Sequence, residues 1–555
     1  MYYVIPYSKN SFQNLNESKW DHEKNEYHKP MNRLQPKSVR LRFVIFFVLK
    51  MLHTVAFNII TIGGKIMNVF TNEAKKKVVN GTTTENGAYA LSTTGSKLLD
   101  LYATIGGLRG IDDDRLFQKL EDAIAEDKLL ATKLVFYTRD IREGIGEREL
   151  GRRMFKYLAC IHPELIRSNI RLIGEYGRYD DLYSLMFTPL EPTMWEVMRA
   201  QLLQDLHDMR NHKPVSLLAK WIKTADASST TTRELGIKTA CRLGYGDSIP
   251  AYKRRIRELR KYINVVERKM SANEWDEIDY EAVPSRASLV HRNAFKKHDK
   301  ERYNDYISKA LKGEAKIHTG TITPYDLLHS LYGGDNDTVE AQWRQLPDYV
   351  NTDTNILCVV DVSLSMDGIP MEIAISLGLY FAEHNTGDFH NLFVTFSTNP
   401  SFEVIRGETL YEKISNMKRA DWGRSTDLIK SFRLILEHAV QYNVPAEDMP
   451  KSIIVISDME IDQADDSYRY KTCYEIVEKE YADAGYKIPG IIFWNVCSRN
   501  DVFHVDKNRR GVQLASGRSP TIFKSIVESL ESTPYEAMLK VLNSERYSAI
   551  TIDEE

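Results

Sequence analysis

The sequence predicts a multidomain protein in which an all-α segment is followed by an α/β domain with a mostly parallel sheet. Two observations carry this prediction. From Thr84 to about Ile317, apolar residues recur at helical spacing with turn residues at short intervals, a texture typical of stacked helix pairs in an α-solenoid. From Ile356 onward, short apolar runs alternate with helical patterns, as in parallel strands joined by crossover helices.

Length and composition fit this division. The chain has 555 residues, 43% of them hydrophobic, and a net charge of −3, which allows two or three domains with real cores. The five cysteines are scattered without a CxxC pair, and Cys358 lies inside a predicted strand. This usage indicates reduced thiols and a cytoplasmic protein, not a disulfide scaffold or a zinc site. The sequence contains no P-loop, GxGxxG or HExxH motif.

Residues 1–66 form a leader unlike the rest. The first forty are rich in Asn, Lys, Tyr and His and predict disorder, and Phe43–Ile62 is apolar apart from Lys50, His53 and Asn58. Three interpretations stay open. The leader is not part of the native product and translation begins at Met67; residues 43–62 are a membrane anchor, in which Lys50 would cost roughly 2.5–3.5 kcal/mol; or the leader is a soluble tail.

After the leader we predict a helical domain at 80–330, a connector at 331–354 and an α/β domain at 355–544. Within the α/β domain, the predicted strands are 356–361, 391–397, 402–406, 452–457, 489–495 and 512–515. The predicted helices are 369–385, 409–418, 427–441, 468–484, 519–531 and 534–544.

Polar side chains follow two of the predicted strands. The run ILCVVDVSLSM places Asp361, Ser363 and Ser365 directly after a buried strand, and SIIVISDME ends another strand at Asp458. In GRSTD, Thr426 opens a predicted helix. Ligands of open α/β sheets bind beyond the carboxyl ends of the strands, and carboxylate and hydroxyl oxygens suit hard divalent cations. The sequence therefore predicts a site for Mg²⁺, or for Mn²⁺ or Ca²⁺, at this edge.

These five residues resemble, in type and order, the metal-ion-dependent adhesion site of von Willebrand factor A domains. The resemblance implies a Rossmann-like fold in which the ion leaves one position open for a carboxylate from a partner. In the alternative interpretation, these residues have only structural roles: the serines are helix caps and Asp458 is a turn residue. A phosphatase would need a second Asp at the position of Ser363, and a nucleophile elbow would need glycines around the serine.

A basic segment lies in the helical part. Between Lys253 and Lys269, eight basic residues face two acidic ones, and apolar residues from Ile256 to Val266 share one helical face. The basic side chains should point outward and contact phosphates, with Tyr252 and Tyr262 available for stacking. The alternative is a solvated helix face. The residues predicted to contact nucleic acid here and in a second basic cluster are Lys253, Arg254, Arg255, Arg257, Arg260, Lys261, Arg292, Lys296 and Lys297.

The helical part also resembles a known class. RDIREGIGERELGRRMF at Arg139, EYGRYDDLYSL at Glu175 and SLLAKWI at Ser216, followed by an A domain, are similar to the TROVE class of Ro autoantigen-like proteins. TENGAYALSTTGS at Thr84, VPSRAS at Val283 and SDME at Ser457 are closer to a TROVE-like family with phage members. The resemblance implies HEAT-like repeats in a ring or horseshoe, closed by the A domain, and a cytoplasmic setting, that of the host if the protein is phage-encoded.

The function that follows is a non-enzymatic RNA-binding protein with a metal adhesion site in its A domain. The resemblance implies single-stranded RNA ends or structured small RNAs as partners. The alternative is a protein-interaction scaffold that captures an acidic partner residue through the metal, without RNA. An enzyme is a third hypothesis, since Asp361 and Asp458 around a metal could activate water, but no nucleophile with a base partner is visible.

Overall fold

The computed structural model describes residues 80–246, 248–333, 336–350, 355–396, 399–419, 427–463 and 471–553. The leader, including 43–62, lies outside these residues. None of the helices in the described ranges combines the length and hydropathy needed to cross a bilayer. Residues from Val79 to Glu555 form one compact unit, in which the helical segment and the α/β domain pack together.

The helical segment is built from short amphipathic helices whose first turns are often capped by Ser, Thr or Asp. Its α-helices are α1 (Lys97–Thr104), α2 (Asp113–Glu126), α3 (Lys128–Arg139), α4 (Arg148–Ile161), α5 (Pro163–Ile166), α6 (Ile173–Tyr176), α7 (Glu191–Arg210), α8 (Leu218–Trp221), α9 (Thr230–Ala240), α10 (Ile249–Tyr262), α11 (Val266–Ala272), α12 (Ser285–His298), α13 (Lys300–Leu311), α14 (Pro324–Ser330) and α15 (Asn336–Arg344).

The helical pattern does not begin at Thr84 as predicted. Residues 81–91 form an antiparallel hairpin of β1 (Gly81–Thr83) and β2 (Tyr89–Leu91), which turns at Gly87 with φ of +88°. A left-handed residue is accommodated in a tight turn but not inside a helix. The hairpin also forms antiparallel bridges from Gly87 to Asp462 and from Leu91 to Phe503, so its edge is covered by the α/β domain.

The α/β domain matches its predicted elements closely. It contains β3 (Ile356–Asp361), α16 (Ile369–His384), β4 (Leu392–Phe396), β5 (Phe402–Val404), α17 (Leu410–Met417), α18 (Leu428–Tyr442), β6 (Ser452–Ser457), α19 (Cys473–Asp483), β7 (Gly490–Asn495), β8 (Val512–Ser516), α20 (Phe523–Val527) and α21 (Pro534–Leu542). The predicted helix at 519–531 is shorter, because its first turn is the 3-10 helix Pro520–Ile522 and its α-helical part ends at Val527.

The strand order is β5-β4-β3-β6-β7-β8, and every pairing is parallel except that of β4 with β5. All positions of β3 and β6 are buried, so both faces of the central sheet are covered. The prediction of a helical segment followed by a mostly parallel sheet is confirmed. The chain order reverses between β3 and β6, which makes the carboxyl ends of these two strands the topological switch point.

Both ends of the helical segment contact the α/β domain. Near its start, the Gly106 amide donates to Ser516 Oγ at 3.0 Å, and the Ser498 amide donates to the Gly107 carbonyl at 2.9 Å. Near its end, α14 packs on α16, where His329 approaches Glu372 at 3.0 Å. The first and last parts of the helical segment therefore both pack against the α/β domain.

Candidate functional site

The register of the two central strands brings the predicted carboxylates together. Val360 lies opposite Ile456 in the parallel ladder, so Asp361 and Ser457 end their strands side by side. The Ser457 hydroxyl donates to Asp361 Oδ2 at 2.6 Å, and Asp458 follows at once. Asp361 and Asp458 are both almost fully buried. The sheet itself therefore positions the two carboxylates at the switch point.

The hydroxyls occupy the turn that follows β3. The Ser363 amide donates to Asp361 Oδ1 at 2.8 Å, which closes the loop onto the strand end. A 3-10 turn at Leu364–Met366 then brings Ser365 Oγ to within 3.0 Å of Ser363 Oγ. The buried side chain of Met366 anchors this turn in the core. Four of the five predicted ligand residues therefore converge, while Thr426 lies outside the described residues.

Among the described residues of this cluster, carboxyl groups outnumber cations. Burial, together with the charge of Asp458, raises the pKa of Asp361 to about 7. Glu460 adds a third carboxyl whose pKa is raised mainly by burial. The one cation that contacts Asp458 in the described part of the chain is Arg499, which donates to its Oδ2 at 2.7 Å and to the Ser365 carbonyl at 2.9 Å.

The residues present fit a hard divalent cation. Their donor atoms are carboxylate and hydroxyl oxygens, which such ions prefer. The 3.0 Å between Ser363 Oγ and Ser365 Oγ equals the edge of an octahedron whose metal–oxygen bonds are about 2.1 Å long. No group of three or more His, Cys, Asp or Glu suited to a metal occurs among the residues the structure describes.

The β1–β2 hairpin docks beside the site. The Glu85 amide donates to Glu460 Oε2 at 2.6 Å, and Asn86 Nδ2 donates to the Glu460 carbonyl at 2.6 Å. The Glu85 carboxylate lies 3.3 Å from Arg499. The TENG and SDME segments, far apart in sequence, therefore meet next to Asp458.

Sequence reasoning did not identify Arg499, Glu460 or Glu85 as part of this cluster. Arg499 lies in the loop after β7, the strand next to β6. Its position beyond the carboxyl end of a neighbouring parallel strand could have indicated that it lies near the site. Glu85 carries no such signal, because it reaches the site only through the packing of the hairpin.

The basic segment of the helical part is broken where one continuous helical face was expected. Helix α10 ends at Tyr262 and α11 begins at Val266, and Asn264 between them has φ of +52°. Arg254, Arg257 and Lys261 are exposed on one face of α10, without an ion-pair or hydrogen-bond partner in the described ranges. Lys297 on α12 is exposed in the same way. We call the α10 residues Arg254, Arg257 and Lys261 the basic stripe.

Other predicted contact residues are already engaged. Lys253 pairs with Asp226, Arg255 with Glu258, and Lys296 with Asp337, all in partly exposed ion pairs. Arg260 turns inward and donates to the carbonyls of Ala219 and Ile222. Arg292 is 6% exposed and donates to the carbonyls of Leu289 and Ser330.

One stacking expectation is wrong. Tyr252 was expected to be available to bases, but its side chain is fully buried and its hydroxyl donates to the Lys223 carbonyl at 2.6 Å. Position 252 lies on the same face as Ile256 and Leu259, so it points into the core with them. Tyr262 is 39% exposed at the end of the helix.

Family models divide the chain at the boundary between the helical segment and the α/β domain. A family model described as a domain of unknown function (DUF2828) matches residues 84–221 and 245–356, and a second one (DUF7788) matches residues 355–550. An uncharacterized protein of Acanthamoeba polyphaga mimivirus is 29% identical, with 86% of this chain and 90% of that protein covered. The crystal structure of the Ro (RSR) protein of Deinococcus radiodurans is similar with a TM-score of 0.36 and 14% identity, covering 79% of this chain and 100% of that one.

Proposed function

We propose that the protein binds RNA without catalysing a reaction, and that the basic stripe is part of the RNA surface. The observation that carries this proposal is the set Arg254, Arg257 and Lys261, which points to solvent from one face of α10 with no acidic partner in the described ranges. Exposed cations on one face attract a polyanion because each phosphate contact releases counterions. The similarity of the helical motifs to the TROVE class favours RNA over other polyanions.

The test is RNA binding by the purified protein at several salt concentrations. We expect single-stranded RNA to bind, and the Arg254→Gln, Arg257→Gln, Lys261→Gln triple variant to bind more weakly. Each lost contact with a single strand should reduce the slope of log K against log salt by about 0.7, so the triple variant should lose roughly 2 from the slope.

A charge-matched control separates local contacts from net charge. Lys156, Arg167 and Arg171 are exposed and have no ion-pair partner in the part of the chain that the structure describes, so their triple Gln variant removes the same charge elsewhere. We expect this control to keep most of the salt slope. Absence of RNA binding, or equal losses in both variants, would contradict the assignment.

A second function is favoured by the cluster at the switch point. We propose that the α/β domain is a von Willebrand A-like domain and that Asp361, Ser363, Ser365, Asp458 and Thr426 hold Mg²⁺ or Mn²⁺. The strand order with one antiparallel edge strand and the convergence of the four described residues support this. When bound, the ion would supply an open coordination position for a carboxylate of an acidic protein partner.

The metal proposal is tested by Mn²⁺ titration followed by calorimetry and thermal unfolding. At one hundred times the dissociation constant, the ion should stabilise the wild type by about 2.7 kcal/mol. Asp361→Asn should abolish the heat of binding and the stabilisation. Stabilisation that survives in Asp361→Asn would place the ion elsewhere, and metal-dependent hydrolysis lost in Asp361→Ala would contradict the non-enzymatic proposal.

The five thiols are free, and we infer a reducing compartment such as the cytoplasm. Fractionation of cells that produce the full chain tests this inference. Recovery in the membrane fraction would favour the apolar stretch 43–62 as an anchor.

A further inference from the structure

A second charged cluster lies in the helical segment, where four cationic side chains surround two carboxylates. The Arg139 side chain is 2% exposed and that of Asp181 is fully buried, whereas the other cations are between 23% and 30% exposed. We call this group the cationic cluster: Arg139, Arg152, Arg178 and Lys223 around Asp180 and Asp181.

The carboxylates are saturated by their arginine partners. Asp181 accepts from Arg139 Nε at 2.8 Å and from Arg152 Nε at 2.6 Å. Asp180 accepts from Arg178 Nε and Nη2 at 3.0 and 2.8 Å. With both acids occupied, the cluster keeps two positive charges in excess of its carboxylates.

Two glycines make the close packing of this cluster possible. A Cβ at Gly177 would lie 2.4 Å from Asp181 Oδ2, and a Cβ at Gly151 would lie 2.8 Å from the Arg139 Cβ. Both distances are so short that the neighbouring atoms would have to move to admit the added Cβ. The glycines of EYGRYDD and ELGRR therefore leave room for the charged side chains of the cluster. This explains why these motifs combine glycine with charged residues.

The carboxylates hold one cation of the cluster, Lys223, only loosely. Lys223 Nζ lies 3.7 Å from Asp180 Oδ2, beyond hydrogen-bond distance. Arg152 Nη2, by contrast, is buried and lies 3.0 Å from Asp180 Oδ2. Burial lowers the pKa of Lys223, and the charges of Arg152 and Arg178 add to this against the opposing effect of Asp180. Lys223, whose side chain is 30% exposed, is therefore the cation of the cluster that an additional anion can best reach.

Aromatic rings and helix α10 hold the cationic cluster in place. The Arg178 guanidinium lies 4.0 Å above the Trp221 ring, and Lys223 lies 5.9 Å from the Tyr183 ring centre. The segment that carries Trp221 and Lys223 is fixed to α10, because Tyr252 on α10 donates to the Lys223 carbonyl at 2.6 Å. This contact is made on the buried face of α10, so the cluster packs on the side of the helix opposite the basic stripe.

We propose that the cationic cluster binds a phosphate monoester, namely the terminal phosphate of an RNA strand. This inference rests on the proposed RNA binding and deepens it. A monoester carries a charge of about −1.5 to −2 at neutral pH, which matches the excess of two cations, whereas an internal diester carries −1. The partly buried cations also favour a chain end, because a terminal phosphate is continued by the strand on one side only.

The experiment compares three RNA oligonucleotides of one sequence, with a 5′ phosphate, a 3′ phosphate or no terminal phosphate. Fluorescence anisotropy at fixed salt gives the ratio of affinities, in which the general electrostatic contribution cancels. We expect one terminal phosphate to tighten binding by about tenfold in the wild type. Lys223→Gln should bring this ratio close to one, and Lys220→Gln, in the same segment but outside the cluster, should leave it unchanged.

A second arm uses inorganic phosphate alone, with thermal unfolding as the readout. One outcome is that phosphate stabilises the wild type but not Lys223→Gln, while the wild type binds no RNA. This outcome would keep the phosphate site but show that its ligand is not RNA, and it would also contradict the proposed function. RNA binding that ignores the terminal phosphate would overturn the cluster proposal and leave the basic stripe intact. Equal ratios in the wild type and folded Lys223→Gln would likewise overturn it.

Discussion

The two charged clusters of this molecule have opposite imbalances. At the switch point of the sheet, the carboxyl groups of Asp361, Asp458 and Glu460 outnumber the cations among the described residues, where Arg499 contacts Asp458. In the helical segment, four cations face Asp180 and Asp181. Because an unpaired charge is costly in a buried site, each imbalance indicates the sign of the ligand that would relieve it. The first cluster suits a cation and the second an anion.

The same substitution should therefore have opposite consequences in the two clusters. Asp181→Asn leaves Arg139 with an uncompensated buried charge and should cost about 3–5 kcal/mol. Asp361→Asn removes a buried carboxylate that faces Asp458, and its amide can keep contacts with Ser457 and Ser363, so without metal we expect a change within about 1 kcal/mol. Urea unfolding in the presence of a chelator measures both.

Asp483→Asn is the control for this pair, because Asp483 is 69% exposed and 4.0 Å from Lys479. It should change the free energy of unfolding by less than about 0.5 kcal/mol. A larger loss of unfolding free energy for Asp361→Asn than for Asp181→Asn would contradict the inference that the two clusters have opposite charge imbalances.

A buried histidine beside the acidic cluster gives a pH test. His504 Nε2 contacts the Met459 carbonyl at 3.2 Å, and burial lowers the pKa of His504 from 6.5 to about 4. The unfolded chain takes up a proton near pH 6.5 while the folded state does not, so stability should fall as the pH drops from 6.5 to 4. The loss should reach about 3 kcal/mol at the lower limit.

His504→Gln keeps a donor for the Met459 carbonyl and removes the titration. The difference in unfolding free energy between this variant and the wild type should shift in favour of the variant as the pH falls below 6.5. A difference that stays constant with pH would show that His504 is not held neutral.

The last prediction concerns Arg499. Its guanidinium occupies Asp458 Oδ2, so it competes with a bound cation. Arg499→Gln should tighten Mn²⁺ binding by about tenfold, the value of one charge-assisted hydrogen bond. Arg510→Gln, an exposed arginine elsewhere in the domain, should have no effect. Weaker Mn²⁺ binding in Arg499→Gln would mean that Arg499 organises the site instead of competing for it.

The α/β part was predictable because its signals are local. Each buried strand is a short apolar run, and the parallel register places Asp361 next to Ser457 without any further packing information. The contribution of Arg499 was not predicted, because it depends on which strand lies next to β6. The hairpin contacts of Glu85 are long-range and carry no periodic signal.

The basic surface was less predictable from sequence. Periodicity separates apolar from polar faces, but it does not tell which cations will find a partner in another element. Arg260 and Arg292 lie inward because backbone carbonyls of neighbouring segments meet their guanidinium groups. The cationic cluster shows the same limit, since the acids that balance Arg139 and Arg152 lie on a different element.

The most direct test of the account is ultraviolet crosslinking of bound RNA followed by peptide mapping. We expect the crosslinked peptides to contain Tyr262 and Trp221, which flank the basic stripe and the cationic cluster. Crosslinks confined to the acidic switch point around Asp361 and Asp458 would contradict the assignment of RNA to the helical segment.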